Sequence, residues 1–76
     1  MKADKEFLRN AVAEIIDTEP EKIGDDTNFV TELEVDSVQM LEIVATIEDE
    51  YDIEAKASDL SKYDTINKIA ELLEQM

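Results

Sequence analysis

Few residues in this chain can do chemistry. It has no cysteine and no histidine, which removes disulfides, thiolate metal sites, the usual zinc sites, Ser-His-Asp triads and the commonest general base. Gly24 is the one glycine, so a Gly-rich phosphate cradle is excluded as well. A self-sufficient enzyme is not expected. What remains is a hydroxyl among carboxylates, in the stretch Glu34-Val35-Asp36-Ser37-Val38-Gln39-Met40-Leu41. Asp36 suits a helix N-cap and Gln39, three positions on, completes a capping box. A helix is therefore predicted to begin at Ser37, with the serine hydroxyl held out from its first turn. The ordinary readings of such a serine are capping and solvation; its surroundings argue for more.

The formal net charge is −14, and it is unevenly spread. No basic residue stands between Lys22 and Lys56, against eleven acids: Asp25, Asp26, Glu32, Glu34, Asp36, Glu42, Glu48, Asp49, Glu50, Asp52 and Glu54. Ser37 lies inside this stretch. Such a field repels nucleic acid and anionic membranes and attracts basic protein surfaces; a general solubility charge is the plain alternative. A calcium loop does not fit, because Asp25-Asp26-Thr27-Asn28-Phe29-Val30 lacks the acid or amide at position five and the glycine at six. No metal site is expected. Met1 to Glu6 lacks the apolar run of a signal peptide and no stretch reaches transmembrane length, so no stable membrane insertion and a cytoplasmic location are expected.

These residues must be held by helices. Phe7, Leu8, Ala11, Val12, Ile15 and Ile16 recur at helical spacing, predicting a first helix from about Asp4 to Ile16, ended by Asp17-Thr18-Glu19-Pro20. Pro20 to Ile23 suits one helical turn. From Asp17 to Val35 there is no period, so a long loop is predicted, pinned by Ile23, Phe29, Val30, Leu33 and Val35. The second helix is predicted from Ser37 to Tyr51. Met40, Ile43, Val44, Ile47 and Tyr51 share its apolar face; Gln39, Glu42, Thr46, Asp49 and Glu50 lie opposite; Ser37, Leu41 and Glu48 mark the border. Asp49 and Glu50 sit at the wrong end for the helix dipole, which hints that they serve a partner. Ala57 to Tyr63 suits a short helix, with Leu60 and Tyr63 inward. Asp64 is predicted to cap a last helix from Thr65 to about Gln75, striped by Ile66, Ile69, Ala70, Leu73 and Met76. The expected fold is all-α: a small single-domain bundle over residues 1–76, with three main helices, one short helix and a long loop between the first and second.

In that order, these features resemble an acyl carrier protein of the free-standing bacterial type. Phe29-Val30-Thr31-Glu32-Leu33 before Val35-Asp36-Ser37-Val38 is similar to the family's attachment motif, and Ile47 to Glu54 to the acidic end of its second helix. Thr65 and the Ile-rich segment after it match the last element. The resemblance implies that Ser37 bears a 4'-phosphopantetheine arm, placed there from coenzyme A by a holo-carrier-protein synthase with magnesium in the synthase's own site. A serine without a base must be activated from outside, and the thiol of thioester chemistry would belong to the cofactor. Asp36 matches the acid associated with synthase recognition. Glu42, Glu48 and Asp49 match positions that meet basic docking patches on acyl-transfer, chain-elongating and modifying enzymes of fatty-acid or polyketide biosynthesis. A monomer is expected.

Leu41, Ile47, Tyr51, Ala55, Tyr63 and Ile69 match positions near the family's acyl-chain cavity, with plain core packing as the alternative. The chain departs from the family at Glu34, where glycine is usual; at Gln39, often acidic; at Ala55-Lys56; and at Tyr63, where isoleucine is common. These departures point to a specialised member. A peptidyl or D-alanyl carrier shares the fold and the modified serine, although the peptidyl type typically has Gly-Gly and often histidine near it. An unmodified acidic interaction module is the rival from another class.

Overall fold

The computed structural model describes residues 2–55 and 61–75, and among them three α-helices and no strand. Helix α1 spans Lys5–Ile15. Asp4 is its cap: Oδ1 accepts from the N–H groups of Glu6 (3.1 Å) and Phe7 (3.2 Å). The helix ends two residues before the proline region takes effect. Asp17 turns left-handed (φ 56°), Asp17 N–H reaches the Glu14 carbonyl (3.4 Å), and Thr18 N–H reaches that of Ala13 (2.9 Å). That is a Schellman-type stop. Pro20–Lys22 then forms a 3-10 turn.

Helix α2 runs Ser37–Tyr51 behind a complete capping box between Asp36 and Gln39. Asp52 leaves it in the left-handed region (φ 53°), where a short polar side chain is tolerated. Helix α3 covers Ile66–Glu74. Its cap is Thr65 rather than Asp64: Thr65 is extended and its Oγ1 accepts from Lys68 N–H at 3.0 Å. Asp64 is occupied elsewhere, accepting from Asn28 Nδ2 (3.0 Å) and lying 3.0 Å from Lys68 Nζ. Of the short helix expected over Ala57 to Tyr63, residues 61–63 form a 3-10 turn; Leu60, like Met76 of the last stripe, lies outside the described residues.

Helix α1 packs against both α2 and α3. Its buried Leu8, Val12 and Ala13 meet Met40, Ile43, Val44 and Ile47 of α2 and Ile66, Ile69, Ala70 and Leu73 of α3 in one apolar cluster. Ile23, Phe29 and Val35 from the long connector are buried in the same cluster, with Tyr63; Leu33 packs at its edge. Each fully buried Leu, Ile or Phe contributes roughly 1.5–3 kcal/mol, so the connector is part of the core. Val30 is the exception among its expected pins: it stands 49% exposed. Its own N–H is turned to Asn28 Oδ1, and its side chain faces away from the core.

Candidate functional site around Ser37

The approach to Ser37 is tied down from two sides. Asn28 Oδ1 accepts from the N–H groups of Val30 and Thr31, both at 2.9 Å, and Glu32 Oε2 accepts from Asn28 N–H at 2.8 Å. This makes a closed polar turn over residues 28–32. Phe29 anchors it: its N–H donates to the Asp64 carbonyl (2.8 Å), and its carbonyl accepts from Val35 N–H (2.9 Å). Farther back, Arg9 Nε donates to the Ile23 carbonyl (2.8 Å), Arg9 pairs with Asp25, and Asn67 N–H donates to the Asp25 carbonyl (2.9 Å). The connector thus bridges α1 and α3 before it delivers Val35. The last turn is made at Glu34, in the left-handed region at φ 56°. Asp36 Oδ1 then accepts from Gln39 N–H (2.8 Å), and Gln39 Oε1 from Asp36 N–H (3.3 Å).

Ser37 is exposed, and its hydroxyl has no hydrogen bond among the described residues. Val38 and Leu41 beside it are 63% and 53% exposed, and Ala45 continues the stripe one turn on. An open, mainly apolar groove of 230 Å³ adjoins the serine, lined by Val30, Val35, Asp36, Met40 and Ser61. Val30, expected as a pin, instead stands at the surface beside Ser37, and Leu41, placed on the border of the α2 faces, projects there with it. The available signal was the off-core angle of Val38 and Leu41 on the helix.

Asp36, Glu42 and Asp49 are exposed along α2. Glu48 is half-buried and differently employed: its Oε2 accepts from Ala55 N–H (2.9 Å), while its carbonyl accepts from Ile53 N–H (3.1 Å). It holds the turn after α2. Of the apolar residues placed near the acyl cavity, Ile47, Tyr63 and Ile69 are buried in the core and Ala55 is half-buried. Tyr51 turns toward α1, where its ring meets Phe7 edge-on (6.1 Å between centroids, 79°) and its hydroxyl accepts from Asp4 N–H (3.0 Å). Among the described residues no three carboxylates gather as a metal site would require, and no helix is long and apolar enough to cross a membrane.

A serine at a capped helix start, on a three-helix scaffold with a pinned loop and an acidic face, defines a carrier-type domain. The chain belongs to the family described as the phosphopantetheine attachment site, whose model matches residues 6–73. It is 36% identical over 70 residues to polyketide-8 synthase acyl carrier protein 2 of Streptomyces avermitilis, covering 92% of this chain and 80% of that one. It is 29% identical over 75 residues to an acyl carrier protein of Buchnera aphidicola, covering 99% of this chain and 94% of the other. Among solved structures it is similar to a free-standing peptidyl carrier protein from an uncharacterized secondary metabolic pathway of Acinetobacter baumannii. The TM-score is 0.82 at 34% identity, over 93% of this chain and 88% of that one.

The prosthetic group of this family is phosphopantetheine, and the residues around Ser37 fit it. The N–H groups of the first helical turn, including Ser37 and Val38, have no intrahelical acceptor and form the positive end of the α2 dipole, which favours a phosphodiester there. The apolar groove gives the methyl and methylene carbons of pantetheine a surface of matching character.

Proposed function

We propose that the protein carries acyl intermediates on a 4'-phosphopantetheine arm attached through the Ser37 oxygen and presents them to enzymes of fatty-acid or polyketide biosynthesis. The observation that supports this most is the exposed, unbonded Ser37 hydroxyl at a capped helix start in a chain matching the attachment family over residues 6–73. When bound, the arm supplies the thiol that holds an acyl group as a thioester. The chain's own residues orient and recognise. The Asp36–Gln39 box fixes the first turn, so the hydroxyl points outward in one direction. Asp36, the neighbouring carboxylate, is engaged in capping Gln39 N–H, and no described residue bonds the hydroxyl, so the proton leaves to a residue of the holo-carrier-protein synthase. The protein itself is then not an enzyme. Val38, Leu41 and Ala45 form an apolar stripe bordered by Glu42 and Asp49, a surface suited to basic partner faces with an apolar centre. In this role the protein acts as a monomer in the cytoplasm beside those enzymes.

Intact-mass measurement after incubation with a holo-carrier-protein synthase, coenzyme A and magnesium tests this. One phosphopantetheine increment is expected on the unsubstituted protein and none on Ser37→Ala; an unmodified parent protein would leave only the acidic interaction module. A peptidyl carrier is the second reading, supported by the 34% identity to the Acinetobacter protein. The thioester cargo on copurified holo protein separates an acyl from an aminoacyl carrier.

A further inference from the structure

We infer that Glu34 is a specificity-determining residue for the enzyme that loads Ser37, its carboxylate meeting a basic side chain of that enzyme on the loop side of the serine. The inference rests on Ser37 being the attachment point. It starts from a conformation that the residue type does not explain. Three described residues hold a positive φ: Asp17 (56°), Glu34 (56°) and Asp52 (53°). The two aspartates sit at the C-terminal ends of α1 and α2, where helices commonly turn left-handed and where a short polar side chain is tolerated. Glu34 has neither excuse. It follows a loop turn, its side chain is longer, and glycine would occupy the position without strain.

Nothing inside the described residues offsets that strain. The Glu34 side chain is exposed and makes no hydrogen bond or ion pair there. Between Lys22 and Lys56 the sequence has no base, and the carboxylate adds to the like charge of Asp36 two residues on. A residue that strains the backbone and leaves its charge uncompensated, next to the one reactive hydroxyl, has its complement outside the chain.

Geometry puts that complement on the loading enzyme. Three residues of extended chain span at most about 11 Å, whereas one side of a standard interface, about 800 Å², has a radius of about 16 Å. An active site centred on Ser37 therefore covers Glu34 together with Val30 and Val38. As an exposed charge on the rim of that contact, Glu34 acts on encounter and binding.

Loading kinetics decide the matter, using a purified holo-carrier-protein synthase that modifies the unsubstituted protein, with coenzyme A and magnesium. Glu34→Gln keeps the left-handed strain and removes the charge; Glu34→Gly removes both; Glu21→Gln removes an exposed charge from the Pro20–Lys22 turn as a control. At low ionic strength both Glu34 variants are expected to raise KM roughly twofold to fivefold with kcat unchanged, the scale of an exposed ion pair. The difference should vanish near about 0.5 M salt. Glu34→Gly alone should also melt above the parent. A Glu34→Gln protein loaded with the parent KM at low salt overturns the inference, as does an equal rise in Glu21→Gln or a Glu34→Gly protein that melts no higher. A parent protein that no synthase loads would instead sink the attachment reading, so the two failures are distinct.

Discussion

The carbonyl of Phe29 accepts a hydrogen bond from Val35 N–H at 2.9 Å, two residues before Ser37, while Phe29 N–H donates to Asp64 at 2.8 Å. One buried aromatic residue thus ties the start of α2 to the segment that leads into α3. The serine is positioned from outside its own helix. Replacing Phe29 by Ala should cost about 3–5 kcal/mol, a large part of the roughly 5–15 kcal/mol available to a small domain. Val30→Ala next to it should stay within about 0.5 kcal/mol, as exposed substitutions do. Urea unfolding of the pair checks the contrast, and equal losses would mean that the 28–32 turn is not oriented as described.

Asp36 has two separable duties, capping α2 and offering charge beside Ser37. Asp36→Ala should lose about 1 kcal/mol of stability. Asp36→Ser should keep most of it, because the serine oxygen can still accept from Gln39 N–H. If the charge serves synthase recognition, both variants load slowly despite their different stabilities. Loading at the parent rate in Asp36→Ser would reduce Asp36 to a cap.

Glu48 is expected to behave as a structural residue more than a docking acid. Its Oε2 holds Ala55 N–H at 2.9 Å, so Glu48→Gln should be nearly silent in stability, with the amide oxygen replacing the carboxylate. Glu48→Ala should cost about 1 kcal/mol and speed hydrogen exchange at the Ala55 amide. Unchanged exchange in Glu48→Ala would break this assignment.

The described ion pairs engage few of the acids: Lys5 and Arg9 with Asp25, and Lys68 with Asp64. The acids of α2 are not among them. Screening their repulsion with salt or magnesium should raise the melting temperature, by about 4–8 °C for each kcal/mol relieved in a domain this small. A flat response between low and high salt would mean that the acids are already compensated.

Local features were legible in the sequence because their causes lie within a few residues. The apolar stripes of α1, α2 and α3, the bounds of α2 and the Asp36–Gln39 box follow from helical periodicity and side-chain bonds to nearby N–H groups. The isolation of Ser37 from any histidine follows from composition alone. The connector resisted because its hydrophobic residues have no period. Phe29 was expected to fold back onto the core and Val30 to help pin the loop; closure of the loop toward α3 buries the first and exposes the second. Asp64 was the expected cap of α3, as the stronger capping type beside Thr65. Asn28 and Lys68, distant or packed beside Asp64, take its carboxylate and leave the capping to Thr65.

The sequence by itself therefore determined the helices, the acidic stretch and the serine at the head of α2, since each depends on neighbours along the chain. Only the tertiary structure decided how the connector meets that serine: Phe29 turned inward, Val30 turned outward and Glu34 forced left-handed. These outcomes depend on which distant backbone groups meet when the connector closes, and residues that far apart leave no periodic trace in the chain.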